Sequence, residues 1–465
     1  MAISVDGIVS GIDTTSIVDK LVAAANIPKN VMSDHLAELN KKKEAYAGLS
    51  SRMDDLKTAL EKMDTIGEIA AATGTSADDT IVGVSTSGAA VKGRYAITVT
   101  QLASSTTQVS DGVADKDAIG SIATGTMSIT VGTTTTAVTI DATNSNLADL
   151  ATSINAAVAD VTAYVMDTGD PIAPYRLVVV GNKTGAANAV TVDTSAMDPA
   201  TGTVPTFAET TTAADAQLTV NGVAVTSEDN EVDTVVSGVT FNLNDVTTTA
   251  PVNITVAADT DTMVATFQAF ADAYNAVMSQ IRTNRAFDSD KGIKGPFVGE
   301  GAVSSIMAKL QGVLSKQYTT GTALHALGGA GFATQQNGDI ELDVDDLKAA
   351  LAAHPDDVFE LFTDAKNGFG AGLTSYIDSV ISEDKQVLPN GNSEHFGVIA
   401  LRNDALDAAV SDLEDDIAKF EDRMIKYEAR LRTQFTAMEV ALGQLQASGS
   451  QLSAFFDSNN NSSKK

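Results

Sequence analysis

The chain has no cysteine and no tryptophan in its 465 residues. Without cysteine it has no disulfide, no thiol nucleophile and no thiolate metal site. Basic residues are scarce: 30 Lys and Arg stand against 60 Asp and Glu, a net charge of -30. Binding a polyphosphate relies on neutralising it with Lys and Arg, so nucleic acid is not an expected partner, and anionic membrane surfaces are disfavoured for the same reason. Long apolar runs are missing too. None approaches the roughly 20 apolar residues of a membrane helix, so membrane insertion is not expected. The opening stretch "ISVDGIVSGIDTTSIVDKLVAAANIPK" (Ile3 to Lys29) has no Lys or Arg before Lys20, and Asp6, Asp13 and Asp19 interrupt its apolar residues. A cleaved secretory leader needs a basic start and a continuous apolar core, so none is expected.

That stretch does have helical spacing. Ile8, Ile12, Leu21 and Val22, with Ile17 and Val18 between, form one apolar stripe, and "DTTS" at Asp13 to Ser16 supplies N-cap chemistry. An ordinary core helix and an interaction helix both satisfy this periodicity.

A chain this long exceeds one core and divides into about three domains. From Met1 to about Ala72, and from about Met263 to the end, apolar residues fall at helical spacing among mixed charges. Between Ser76 and Ala265 only five basic residues (Lys92, Arg94, Lys116, Arg176, Lys183) face twenty-one acidic ones. Alternating runs there predict seven strand regions: "RYAITVTQL", "MSITVG", "AVTID", "YRLVVVG", "AQLTVNGVAV", "GVTFNLN" and "VNITVA". Asn221-Gly222 marks a hairpin turn, and "NLADLATSINAAV" (Asn146 to Val158) a single helix.

Near the carboxy end, Leu406, Val410, Leu413, Ile417, Phe420, Met424, Tyr427 and Leu431 alternate four- and three-residue steps, the a/d pattern of a coiled coil. Phe435, Met438, Leu442 and Leu445 resume it after two four-residue steps, a stutter. Tyr46, Leu49, Met53, Leu56, Leu60 and Met63 repeat the alternation early in the chain. The simplest plan pairs the early helix with the late one and places the β-rich insert at the other end, a stem with a head. Two unrelated helices of a bundle remain the alternative. The expected fold class is multidomain α and β, an amino- and carboxy-terminal α-helical coiled-coil stem with inserted β-rich head domains. The expected divisions are residues 1–45 with 425–465 as the terminal stem domain, 46–75 with 264–424 as a mainly helical leg domain, 76–110 with 208–263 as a β-rich head domain, and 111–207 as a distal β-rich head domain. The boundary between the two heads stays open.

Signatures of catalysis are missing. His35, His325, His354 and His395 are dispersed, and there is no H-E-x-x-H, Walker A loop or nucleophile elbow. "VGEGAVSS" (Val298 to Ser305) is better read as a helix start than as a phosphate loop. "DSDKGIKGPFVGE" (Asp288 to Glu300) is no calcium loop, because Ile293 holds the position that requires Gly and Gly299 the position of the bidentate Glu. "DVDD" (Asp343 to Asp346) reads as a helix cap. No catalytic residue, metal or cofactor is expected.

Taken in order, these motifs resemble the bacterial flagellar filament cap family, also called hook-associated protein 2. "GIxSGID" at Gly7 to Asp13 with Pro28, "YAITVTQLA" (Tyr95 to Ala103), "AADAQLTVNGVAV" (Ala213 to Val225), "FADAYNAVMSQI" (Phe270 to Ile281), "KGPFVGE" (Lys294 to Glu300), "QNGDIELD" (Gln336 to Asp343) and "QFTAMEVALGQLQASGSQLSAFF" (Gln434 to Phe456) carry the resemblance. The middle, about Asp111 to Phe207, matches only in part, so no head contact carries over. The resemblance implies a non-enzymatic homo-oligomeric ring, usually of five, at the distal tip of the flagellum, guiding flagellin to fold and insert. It implies export by the flagellar type III apparatus, contact with hook-filament junction proteins and an export chaperone on the carboxy-terminal helix. Expected oligomerisation or filament contacts are Ile8, Ile12, Leu21, Leu413, Ile417, Phe420, Met424, Leu431, Phe435, Met438, Leu442, Leu445, Leu452 and Phe455. An adhesin that binds host glycans or mucin through its head is the competing function. A hydrolase with an unrecognised carboxylate pair is a third, without a site to support it.

Overall fold

The computed structural model describes residues 13–290, 292–382, 386–387, 394–395 and 397–462. It divides into two compact units, residues 1–61 with 267–465, and residues 62–266.

The helices are α1 (Thr14–Ala25), α2 (Ile27–Glu61), α3 (Ile66–Ile69), α4 (Leu147–Ala157), α5 (Thr260–Arg285), α6 (Gly301–Leu314), α7 (Val344–Ala353), α8 (Pro355–Thr363), α9 (Phe369–Ile381) and α10 (Val398–Ser462). The Asp13 carboxylate accepts the Ser16 N–H at 2.9 Å and starts α1. Pro28 lacks an N–H and is tolerated in a first turn, so a second helix begins at Ile27. In the helical unit the core gathers Tyr46, Leu49, Met53, Leu56 and Leu60 of α2 with Phe270, Tyr274, Val277 and Ile281 of α5, all 2% exposed or less. Phe267, Phe270, Phe332, Phe362 and Phe369 pack ring against ring at tilted or edge-on angles, with centroids 5.1 to 6.3 Å apart. α5 also holds a short hairpin, Phe332–Thr334 with Ile340–Leu342. The Asn275 amide bonds both backbone groups of Ile340 at 2.8 Å, and Arg282 grips Asp339 with both nitrogens. Asp343 then caps α7 by accepting from the N–H groups of Asp345 and Asp346, as its sequence predicts. Among the described residues no helix is long and apolar enough to cross a membrane.

The second unit is built from β1 (Ala72–Ser76), β2 (Val82–Thr86), β3 (Gly93–Gln101), β4 (Thr107–Ser110), β5 (Gly125–Val131), β6 (Thr134–Ile140), β7 (Val161–Asp167), β8 (Tyr175–Gly181), β9 (Val190–Met197), β10 (Phe207–Thr211), β11 (Ala216–Val220), β12 (Val223–Ser227), β13 (Glu231–Val236), β14 (Val239–Leu243) and β15 (Val252–Ala258). Every ladder is antiparallel. Sheets β1-β15-β3-β11-β12 and β13-β14-β2 enclose one core, around Ile97, Val99, Leu218, Phe241 and Ile254. Sheets β10-β4-β8-β7 and β6-β5-β9, with α4, enclose a second, around Met127, Ile129, Leu147, Leu150, Ile154 and Leu177. The seven strand regions predicted from sequence are therefore too few. β1, β2, β4, β7, β9, β10 and β13 escape the periodicity because several are Thr-rich, and strands such as β1 and β10 bury no residue fully.

The turn at Asn221-Gly222 joins β11 to β12 with both residues in the left-handed region, φ 49° and 82°. Gly222→Ala should cost about 1–2 kcal/mol, the strain of an L residue there; urea unfolding followed by circular dichroism measures it. β7 lies at a sheet edge, where unpaired backbone invites another strand. Asn155 of α4 occupies that edge: its side chain donates to the Ala163 C=O and accepts from the Ala163 N–H, both at 2.7 Å. Asn155→Ala should destabilise the unit by about 1–3 kcal/mol, the loss of two hydrogen bonds. It should also raise light scattering on mild heating, and an unchanged melt would show that the edge needs no cover.

Candidate functional site

α1 and α2 run antiparallel to α10 within the helical unit. Lys29 pairs with Glu421 at 2.6 Å, and Lys43 pairs with Asp407, so fourteen residues forward on α2 match fourteen back on α10. Arg432 extends the register to α1 through Asp19 at 3.4 Å. These pairs are about a third to two thirds exposed, where an ion pair contributes roughly 0–1 kcal/mol. They set alignment more than stability.

One pairing is different. The Glu300 carboxylate, whose side chain is 10% exposed, accepts from Lys42 Nζ at 3.1 Å, the Tyr46 hydroxyl at 3.0 Å and an Arg402 nitrogen at 3.0 Å. It ties α2, α10 and the start of α6 together. Burial pushes its carboxyl up, but the hydrogen bonds from Lys42, Arg402 and Tyr46 outweigh that and hold it below the ordinary 4.5. Burial, with the Glu300 carboxylate beside it, pushes the Tyr46 hydroxyl up to about 12. "VGEGAVSS" is indeed a helix start, yet Glu300 at the α6 N-cap turns its side chain to this cluster instead of capping the helix. Its partners are distant in sequence, and no local pattern announced them.

The early stripe pairs with α10 only in part. The register sets Tyr46 beside Arg402 and α10 begins at Val398, so Met53, Leu56 and Leu60 run past its start. They are buried in the helical core instead, and Lys57 of the same turns bonds Asp378 of α9 at 2.8 Å.

Along α10, Leu406 is buried, but Leu413, Ile417, Phe420, Met424, Tyr427, Leu431, Phe435 and Leu442 are only half-buried. Met438, Leu445 and Leu452 are exposed at 38%, 68% and 58%, and Leu21 of α1 is exposed, while Val18 beside it is buried. Phe455 lies in α10 with its side chain outside the described residues; Ile8 and Ile12 lie outside them altogether. The helix runs unbroken through the stutter. Beside Ala25 the seam opens into a hollow of about 440 Å³ lined by Phe420, Met424 and Tyr427. Arg423 stacks over Phe420 and Arg430 over Tyr427, with centroid distances of 5.3 and 5.8 Å. A seam with one face covered and the next half open is suited to binding another helix. Among the described residues, no three His, Asp or Glu side chains gather to hold a metal ion.

Two family models match the chain: flagellar hook-associated protein 2 N-terminus over residues 10–106 and flagellar hook-associated protein 2 C-terminus over residues 213–447. The chain is 29% identical to the flagellar hook-associated protein 2 of Escherichia coli K12, over 99% of each chain. It is 28% identical to the A-type flagellar hook-associated protein 2 of Pseudomonas aeruginosa, over 96% of each. Among solved structures it resembles the D1-D2-D3 domains of the flagellar cap protein FliD from Escherichia coli, with a TM-score of 0.66 and 27% identity, covering 78% of this chain and 99% of that one. None of these names speaks of adhesion, so the adhesin reading of the head finds no support.

Proposed function

The chain belongs to the flagellar hook-associated protein 2 family, and from that premise we propose that it caps the distal end of a bacterial flagellar filament as a ring of identical chains. The ring holds incoming flagellin while it folds and inserts. Its role is structural, and it works outside the cell at the flagellum tip, reached through the flagellar export apparatus. The observation that supports assembly most directly is the α10 seam, half-buried from Leu413 to Phe435 and exposed at Met438, Leu445 and Leu452. An apolar stripe of this length on a lone subunit marks an interaction surface. Neighbouring chains would cover it, and the hollow beside Ala25 would receive one of their side chains. A ring of five and contact with hook-filament junction proteins rest on the family resemblance. An export chaperone would occupy the same distal α10 stripe before assembly, which keeps subunits apart during transport.

Deleting the gene should stop filament growth and release flagellin into the medium, and electron microscopy of the purified, concentrated protein should show rings. Normal filaments in the deletion strain would overturn the capping role. A protein that stays monomeric at high concentration would overturn the ring.

A further inference from the structure

Within the helical unit, α6 and α9 border an open cleft of about 490 Å³. Its lining includes Lys309, Lys316 and Lys366 and no acidic residue, in a chain with 60 acids against 30 bases. None of the three lysines forms an ion pair with a described residue, and Lys316 stands 5.1 Å from the Tyr318 ring centre. The acid nearest in sequence, Asp364, accepts from the backbone N–H groups of Lys366 and Asn367, and its carboxylate also interacts with the Lys366 charge. Two glycines line the cleft inside helices, Gly312 of α6 and Gly372 of α9, and a Cβ at either would meet nothing within 4 Å. Glycine is a poor helix residue and neither close contact nor backbone conformation requires it there, so its effect is to leave the cleft floor open. A second hollow of about 480 Å³ shares Lys309 and Tyr376 with the first and is lined by Ile306, Val380 and Val398. The Tyr376 hydroxyl, at the junction, has no hydrogen bond to a described residue.

We propose that this cleft docks an acidic segment of a partner polypeptide, its carboxylates against Lys309, Lys316 and Lys366 and a neighbouring apolar side chain against Val398, which is 41% exposed at the adjoining hollow. Charge complementarity selects the acidic partner, since cations that form no ion pair with a described residue, collected on an acidic molecule, attract anions that the remaining surface repels. The exposed Val398 beside these cations favours a polypeptide with an apolar side chain over a purely polar polyanion. This site is separate from the α10 seam and stands or falls independently of the ring.

The test uses the full chain and a fluorescein-labelled peptide of alternating Asp, Glu, Leu and Phe, followed by anisotropy. Binding should weaken as salt rises. The double variant Lys309→Glu with Lys316→Glu should lower affinity at least about tenfold, or 1.4 kcal/mol. Gly372→Leu, which places a side chain in the cleft without meeting backbone, should do the same while leaving the circular dichroism spectrum unchanged. Met424→Asp, in the seam, should leave peptide binding intact. Failure of the peptide to bind would overturn the proposal, and so would equal affinity in the Gly372→Leu protein. If polyphosphate or a sulfated polysaccharide competed as well as unlabelled peptide, the site would be a general polyanion site and the polypeptide assignment would be wrong.

Discussion

Leu413→Asp should lower self-association by about 100-fold or more, and by more than Met424→Asp, while the β-rich unit stays folded. Both residues are half-buried in the α10 seam, where the remaining apolar surface is available to a neighbouring chain. Fully burying a side chain of this size contributes about 1.5–3 kcal/mol, and an unpaired carboxylate adds a desolvation cost of about 1–3 kcal/mol. Each 1.4 kcal/mol is tenfold in affinity, so the two terms together reach about 100-fold. The surroundings decide the order. Leu413 sits among Asp412, Glu414, Asp415 and Asp416, so a new carboxylate there meets like charge. Met424 sits beside Arg423, Lys426 and Arg430, which line the same hollow and offer an aspartate partners. Leu413→Met, which conserves volume, should assemble like the parent. Sedimentation velocity across a range of concentrations measures all three. Equal assembly of parent and Leu413→Asp would remove the seam from the interface, and a larger defect at Met424 would mean that local charge does not govern it.

How much of this was legible in the sequence depends on the range of the interaction. The heptad from Leu406 to Leu431, the caps at Asp13 and Asp343 and the turn at Asn221-Gly222 are local, set by residues a few positions apart, and each forms where the pattern places it. The register of α10 against α2 is not local. It follows from Lys29, Lys43 and Arg432 meeting partners hundreds of positions away, and pattern alone let the early stripe run along α10 farther than it does. Thr-rich strands such as β1 ("ATGTS") were hidden for another reason. Their place in the sheet comes from backbone hydrogen bonds to a partner, as between β1 and β15, and their side chains lack the contrast between apolar and polar that periodicity needs. The Glu300 cluster combines both difficulties: its acceptor and donors are single polar residues on three distant segments. The cleft lysines were equally silent, because Lys309, Lys316 and Lys366 look like ordinary surface charges until α6 and α9 bring them to one hollow.

Removing the Glu300 carboxylate should be the most damaging single change to the helical unit's polar contacts. Glu300→Ala leaves Lys42, Tyr46 and Arg402 without their common acceptor, and breaking a buried charged pair costs about 3–5 kcal/mol. Lys42 and Arg402 are 31% and 38% exposed and recover some hydration, so about 3 kcal/mol is expected. Asp407→Ala, which removes the half-exposed partner of Lys43, should cost no more than about 1 kcal/mol. The difference has a pH signature. The folded Glu300 carboxyl titrates below its ordinary 4.5, so the folded state favours the charged form. Its stabilisation is complete above the unfolded value and disappears as pH falls through the lower, folded one. Tyr46 titrates in the opposite sense: its hydroxyl is raised from 10.0 to about 12, so its contribution is complete below 10.0 and is lost as pH rises toward about 12. The cluster is therefore strongest between those limits. In urea unfolding followed by helical signal, the gap between parent and Glu300→Ala should be widest near neutral pH and close on acidification below 4.5. Tyr46→Phe should reduce the alkaline decline and, by removing one of the three donors to Glu300, shrink the acid limb without abolishing it, since Lys42 and Arg402 remain. A gap that persists unchanged down to pH 2 would mean that Glu300 acts through packing alone and that its charge does not hold α2, α6 and α10 together.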